Sequence, residues 1–264
     1  MSARSWQPDG WDAQVRIGVL APHADVGPES ELQAMAPPGV RIHGARVLFT
    51  AMGPGGAMDP TIPHAPIRAF AAPPHTDEAA ELIAAAPVAA IGIGFTTTAY
   101  VLGAVGERAL IERLETRTGD VPVVSTCLSI VAGLRELGIS RIALFDPPWF
   151  DAELTGLGRD MYADQGFEVV YAAPCALPSA QSAICPADLF DQIGAYTPDS
   201  ADAVVVGGNG FRAAGVIDAV EHALGRPMLT PNQALLWGTL RAADVGVAVP
   251  AYGRLLEERV RAGS

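Results

Sequence analysis

The chain has 264 residues, half of them hydrophobic, and a formal charge of −12 from 29 acidic and 17 basic side chains. Every basic residue is an arginine, which excludes a Schiff-base lysine, a pyridoxal-phosphate anchor and the phosphate-gripping lysine of a P-loop. An acidic chain without an arginine-rich run repels polyanions at long range, so nucleic acid and an anionic membrane surface are poor partners and a small molecule is the better one.

Taken in order, short β-branched runs followed by turn residues and then by Ala/Leu-rich helical stretches recur along the chain. That is the pattern of an α/β fold with parallel strands and crossover helices. A first strand is expected at 15–21, followed by the turn APHADVGPE, and a second at 40–49. His23 and Asp25 lie close enough in that turn to share a site as proton-transfer groups, or else cap it. The segment 52–74, with PGG, DPTIPHAP and APPH, reads as a loop, followed by a helix at 76–86 and a strand at 88–94. The turn Phe95-Thr96-Thr97-Thr98 then offers consecutive hydroxyls and N–H donors at the start of a helix at 99–118, which suits a carboxylate or a plain cap.

A strand at 121–125 leads to Cys127 at the N-terminus of a helix at 128–137. That environment lowers a thiol pKa, although an inert buried cysteine is the commoner state. The second half reads as strands at 141–145, 167–171, 203–207, 227–230 and 245–247, with helices at 150–165, 187–195, 213–224 and 233–242. An irregular stretch at 173–186 has the character of a lid or binding wall, or of a surface connection. The turn Gly207-Gly208-Asn209-Gly210 brings backbone N–H groups and the Asn209 amide close to any ligand, as in an oxyanion hole or a tight helix cap. Neither turn has dinucleotide spacing, and no nucleophile elbow is present.

Residues 88–103 resemble 201–216 at an offset of about 113 residues. The chain is therefore either two similar lobes whose turns face each other across a cleft, or one domain repeating a common unit. Cys127, Cys175 and Cys185 are an odd number of cysteines without metal-ligand spacing, which fits reduced thiols in the cytoplasm. The start MSARSWQPDGWDAQ has no apolar core of a leader, and no apolar run reaches the roughly 18 residues of a membrane span. A cytoplasmic protein is expected, with no membrane or nucleic-acid partner. Whether it is a monomer or a homo-oligomer stays open.

The order and spacing of APHADVGPE, GFTTTAY, LRELGISRIALFDPPWFDAEL, AVVVGGNGFRAAGVIDAVE, PNQALLWGTLRAADV and the tail VPAYGRLLEE resemble the aspartate/glutamate racemase superfamily, in its arylmalonate decarboxylase and maleate cis-trans isomerase branch. The resemblance implies two pseudosymmetric parallel-sheet lobes, 1–125 (to which the C-terminal helix would return) and 126–264, flanked by helices around a cleft. It also implies chemistry on a small carboxylate that needs no cofactor and no metal. By position, Thr96 and Thr97 fall where the family binds carboxylate oxygens, and Asn209 and Gly210 fall in the second-lobe anion site. Trp149 falls near a tyrosine of the branch, and Asp25 where related isomerases carry asparagine.

Both family thiol positions are occupied otherwise, by Phe95 and Gly208. The first substitution makes that wall apolar, and the second is expected to open space opposite it. The expected activity is a cofactor-independent isomerase or lyase, decarboxylation or elimination before racemisation, through a carbanion or enediolate-like intermediate. Cys127, His23 or Asp25 would move the proton. A noncatalytic carboxylate-binding protein and a hydrolase using water activated by His23 and Asp25 are the competing readings.

Overall fold

Runs such as RIGVL, RIALF and AVVV carry apolar residues on both sides of the pleat, as strands covered by helices on both faces require. In the computed structural model, which describes residues 9–58 and 62–257, they form the centres of two parallel sheets. The first contains β1 (Val15–Pro22), β2 (Val40–Val47), β3 (Ala90–Ile93) and β4 (Val123–Ser125) in the order β2-β1-β3-β4. The second contains β5 (Arg141–Asp146), β6 (Glu168–Pro174), β7 (Ala203–Val206) and β8 (Met228–Leu229) in the order β6-β5-β7-β8. The two halves thus repeat one strand order, with β3 and β7 in equivalent places.

Ten helices connect the described strands: α1 (Gly27–Met35), α2 (His64–Ala71), α3 (His75–Ala84), α4 (Thr97–Thr118), α5 (Thr126–Glu136), α6 (Ala152–Asp164), α7 (Pro186–Tyr196), α8 (Ile217–Leu224), α9 (Pro231–Ala242) and α10 (Arg254–Glu257). The C-terminal α9 crosses back to the first sheet, lying on β3 and β4 beside α5. Its residues Pro231 to Leu240 are all buried, as expected for a helix apolar on most of its circumference. Leu235 of α9 packs against the bare Cα of Gly92 in β3, which locks the second half of the chain onto the first sheet. Among the described residues no helix is long and apolar enough to cross a membrane.

Three expectations need correction. The loop expected at 52–74 contains α2 and a short 3-10 turn at Pro54–Gly56. Pro63 is the N-cap of α2 and Pro66 lies in its first turn, where a missing N–H breaks no helical bond. The helix α1 was not expected at all; Pro28 opens it in a preorganised conformation, and its weak apolar stripe hides it in the sequence. The strand expected at 245–247 does not form. Its alternating valines follow α9 along the surface, and the second sheet ends at β8. The first eight residues, Asp59-Pro60-Thr61 of DPTIPHAP and the last glutamate of VPAYGRLLEE lie outside the described residues.

Candidate functional site

Ligands of open α/β sheets collect beyond the carboxyl ends of the strands. Here the ends of β1, β3, β5 and β7 converge on one narrow cleft. The turns after β3 and β7 meet directly. Thr96 donates its hydroxyl proton to Asn209 Oδ1 at 2.7 Å, across 113 residues of sequence, and accepts the Gly208 N–H at 3.1 Å. That separation equals the offset between the repeated segments, so equivalent positions of the two halves touch.

The bond is one link of a longer chain. Asn209 Nδ2 donates to Thr126 Oγ1 at 3.0 Å and to Asn232 Oδ1 at 2.9 Å. Asn232 Nδ2 in turn donates to Glu31 Oε2 at 2.8 Å and to the Asn209 carbonyl at 2.9 Å. A carboxylate and a carbonyl only accept, so the orientations of both amides are set. The side chains of Thr96 and Asn209, expected to touch substrate, have their donors committed to the protein. They staple the turns together, while Glu31 and Asn232, which no local sequence signal marked, hold the staple.

The groups left for a ligand are different. Thr97 Oγ1 is buried without a partner and lines the cleft. The N–H groups of the first turn of α4 have no helical acceptor. The backbone N–H groups of Asn209 and Gly210 find no acceptor among the described residues. Together these donors form a nest for an anionic oxygen.

Facing the nest is an aromatic and thioether wall. Phe95, the residue at the first thiol position, packs its ring 4.8 Å from Phe49 and 4.2 Å from Phe70 between centroids. Met52 and Met58 form an antiparallel bridge that lays both over the cleft. From the second half come Phe150 and Trp149, the latter edge-on to Phe211 at 5.9 Å. Asp25 is the one ionisable side chain among the described residues lining the cleft. Phe49 ends a strand read only as structural, Met52 and Met58 come from the segment 52–74 read as a loop, and Gln181 comes from the irregular stretch at 173–186, whose possible role as a wall was the only signal for it.

Of the proposed proton carriers, only Asp25 reaches the cleft. It is 3% exposed, and burial raises its carboxyl above the ordinary range despite hydrogen bonds from the Gly27 N–H and the Gln181 side chain and the field of Arg46. His23 is exposed, does not line the cleft, and its Nδ1 accepts the Phe49 N–H at 3.2 Å.

Cys127 corrects a specific expectation. It is fully buried behind the first turn, with Sγ donating to the Thr96 carbonyl at 3.4 Å. Its thiol is pushed well above the ordinary range, first by burial and then by the neighbouring Glu107 and Asp146 carboxyls. Desolvation outweighs the helix N-terminus. Cys175 is likewise pushed up to about 12 by burial, and Cys185 is exposed away from the cleft.

Gly208 does not open space as expected. It adopts φ +76°, and a Cβ there would lie 2.7 Å from Pro147 Cγ, so the room beside it is already filled. Beneath this turn Asp146 Oδ1 accepts the Tyr100 hydroxyl proton at 3.0 Å. Burial pushes Asp146 up to about 7, and does the same to Glu107, whose Oε1 accepts from Thr98 at 3.1 Å. No group of three metal-ligating side chains is present among the described residues.

The fold has counterparts in known proteins. The family model described as arylmalonate decarboxylase matches residues 73–256. An arylmalonate decarboxylase from Bordetella bronchiseptica is 28% identical over 179 residues, covering 64% of this chain and 72% of that protein. A maleate isomerase from Pseudomonas putida is 25% identical over 257 residues, covering 91% and 96%. The crystal structure of the maleate isomerase Iso from Pseudomonas putida S16 superposes with a TM-score of 0.81 at 23% identity, covering 92% of this chain and 98% of that one. With the family model spanning well over half of its length and two converging lobes in place, the chain belongs to the arylmalonate decarboxylase family, whose similar members named here are a decarboxylase and an isomerase.

Proposed function

We propose that the protein is a cofactor-independent lyase that removes a carboxylate from a small acid bearing an apolar, aryl-sized substituent. One observation carries the choice: an anion nest faces a wall of aromatic and methionine side chains with no cation among the described lining residues. One carboxylate of a substituted malonate is held by Thr97 and the N–H groups of Asn209 and Gly210. The other lies against the apolar wall, where an ion is poorly solvated and leaves as neutral CO₂. The electron pair of the broken C–C bond passes into the held carboxylate as an enediolate, and the nest stabilises that charge where it develops.

Isomerisation of a dicarboxylate such as maleate is the second reading, and it fits less well. A second permanent carboxylate has no partner in this cleft and stands near Asp25, and the thiol positions hold Phe95 and Gly208. Racemisation, which needs competent groups on both faces, meets the same obstacle. The cleft lies between lobes 1–125 and 126–264, and the three reduced thiols suit a cytoplasmic setting.

The test is to incubate the purified chain in D₂O with phenylmalonate, maleate, amino acids and hydroxy acids and to follow products by NMR. Phenylmalonate is expected to give deuterated phenylacetate while maleate persists. Conversion of maleate with phenylmalonate untouched overturns the assignment, and thermal stabilisation by acids without any turnover makes the protein a binder.

A further inference from the structure

We propose that Asp25 delivers the proton to the substrate carbon, in place of the thiols absent at positions 95 and 208, and that Gln181 is the positioning residue that holds its carboxyl over the nest. This rests on the carboxylic-acid reading above and adds the group that completes its reaction.

The geometry places the carboxyl where the chemistry needs it. Asp25 Oδ1 accepts the Gly27 N–H at 2.8 Å, which ties one oxygen to the backbone. Oδ2 points at the second-half turn: a Cβ built on Gly210 would stand only 2.8 Å from it and would overlap Gln181 Nε2. The bare Cα of Gly210 therefore lets the carboxyl and the Gln181 amide close over the residue whose N–H belongs to the nest. Gln181 Oε1 lies against Gly56 on its other side, 3.0 Å from where a Cβ would stand. The amide is thus clasped between loops of the two halves. His23 and Cys127 offer no comparable approach, since neither lines the cleft.

The charged groups around Asp25 come from three elements. Asp25 raises the carboxyl of Glu31 on α1, and Arg46 at the end of β2 lowers that of Asp25 while also donating to the Asp25 backbone carbonyl. Arg46 is paired with Glu29 of α1, and His23 precedes Asp25 by two residues and is exposed. An acid bound in the nest adds a further negative charge, which favours the protonated carboxyl.

The reaction balances without a cofactor. The C–C bond to the departing carboxylate breaks, CO₂ leaves, and its electron pair becomes the enediolate. The Asp25 O–H bond then breaks as a C–H bond forms at the substrate carbon, and the Asp25 carboxylate regains a proton from solvent.

The experiment compares wild type, Asp25→Asn, Asp25→Glu and Gln181→Ala for phenylmalonate turnover across pH and for phenylacetate binding by calorimetry. Asp25→Asn is expected to bind phenylacetate within about threefold of wild type while kcat falls at least ~100-fold, the scale of positioned proton transfer. Asp25→Glu restores part of the rate. Wild-type kcat/KM falls as pH rises through the raised Asp25 range, and Gln181→Ala moves that limb to higher pH because a hydrogen bond that favours the carboxylate is lost. Turnover by Asp25→Asn within about fivefold of wild type overturns the assignment of Asp25 and leaves the lyase reading standing. A wild-type profile without the limb does the same, and decides the matter if the asparagine variant does not fold. Wild type that binds acids and turns over none overturns both.

Discussion

Asp146→Asn is expected to stabilise the protein at pH 8 and to do so by only about 1 kcal/mol at pH 5. Asp146 ends β5 with no exposed surface, its Oδ1 accepts from Tyr100, and the Thr155 hydroxyl is the other polar group turned toward its carboxyl. With no cation at hand, burial moves its pKa from 3.8 to about 7. A carboxyl whose native pKa lies above its unfolded value keeps in the native state a proton that the unfolded chain has released. Its contribution is therefore complete below the unfolded pKa and is lost as pH rises from about 4 through about 7. Roughly three pH units at about 1.4 kcal/mol each amount to about 4 kcal/mol, of which about 3 is lost between pH 5 and pH 8. Asparagine keeps the acceptor for Tyr100 and places an NH₂ where the acid proton stood. Urea unfolding at pH 5, 6, 7 and 8 should show wild type losing stability with rising pH and the variant losing about 3 kcal/mol less. Parallel curves, or a variant weaker than wild type at pH 8, would refute the assignment of a neutral buried acid. Glu107, shifted from 4.5 to about 7 by burial, supports the same experiment independently with Glu107→Gln.

Three further outcomes follow from the site. Cys127→Ala should leave kcat on phenylmalonate within about threefold of wild type, because its thiol neither lines the cleft nor ionises readily; a loss of more than about 100-fold in steady-state assays would return the proton to this cysteine. Asn209→Ala removes three side-chain hydrogen bonds, one of them to Thr96 in the other half, and should lower unfolding stability by about 2–4 kcal/mol, with weaker phenylacetate binding by calorimetry. Gly208→Cys meets both a left-handed backbone and Pro147; a loss of about 2–3 kcal/mol in urea unfolding and no gain in turnover are expected.

The two-sheet plan was legible because its evidence is local and repeated. Buried strands read as apolar runs, and the offset between GFTTTAY and GGNGFRA is the offset across which Thr96 bonds Asn209. The role of each polar residue was not legible, because it depends on where the other half of the chain sends its donors. Thr96 and Thr97 are neighbours with the same hydroxyl, yet one is consumed by Asn209 and the other is left unpaired. Cys127 stands at a helix start that favours thiolate, but carboxyls from α4 and β5, distant in sequence, and complete burial reverse that tendency. Gln181 lies in a stretch without periodicity, so only tertiary contact with Asp25 reveals it.

Phe95 and Gly208 are equivalent positions of the repeat, and they keep a thiol out of the cleft in physically different ways. At Phe95 the backbone presents a side chain toward the cleft, and that side chain is a ring that joins Phe49 and Phe70. At Gly208 the backbone itself adopts a conformation that disfavours a side chain, with Pro147 Cγ 2.7 Å from where a Cβ would stand. Placing two opposed thiols in this cleft therefore requires one substitution in the first half but a change of backbone and of Pro147 in the second. The flanking staple from Thr96 to Asn209 is intact in both halves, so the anion nest does not depend on either thiol. In the proposed reaction, with no thiol at Phe95 or Gly208, the proton comes from a third element, and the β1 turn supplies the one carboxyl among the described residues lining the cleft.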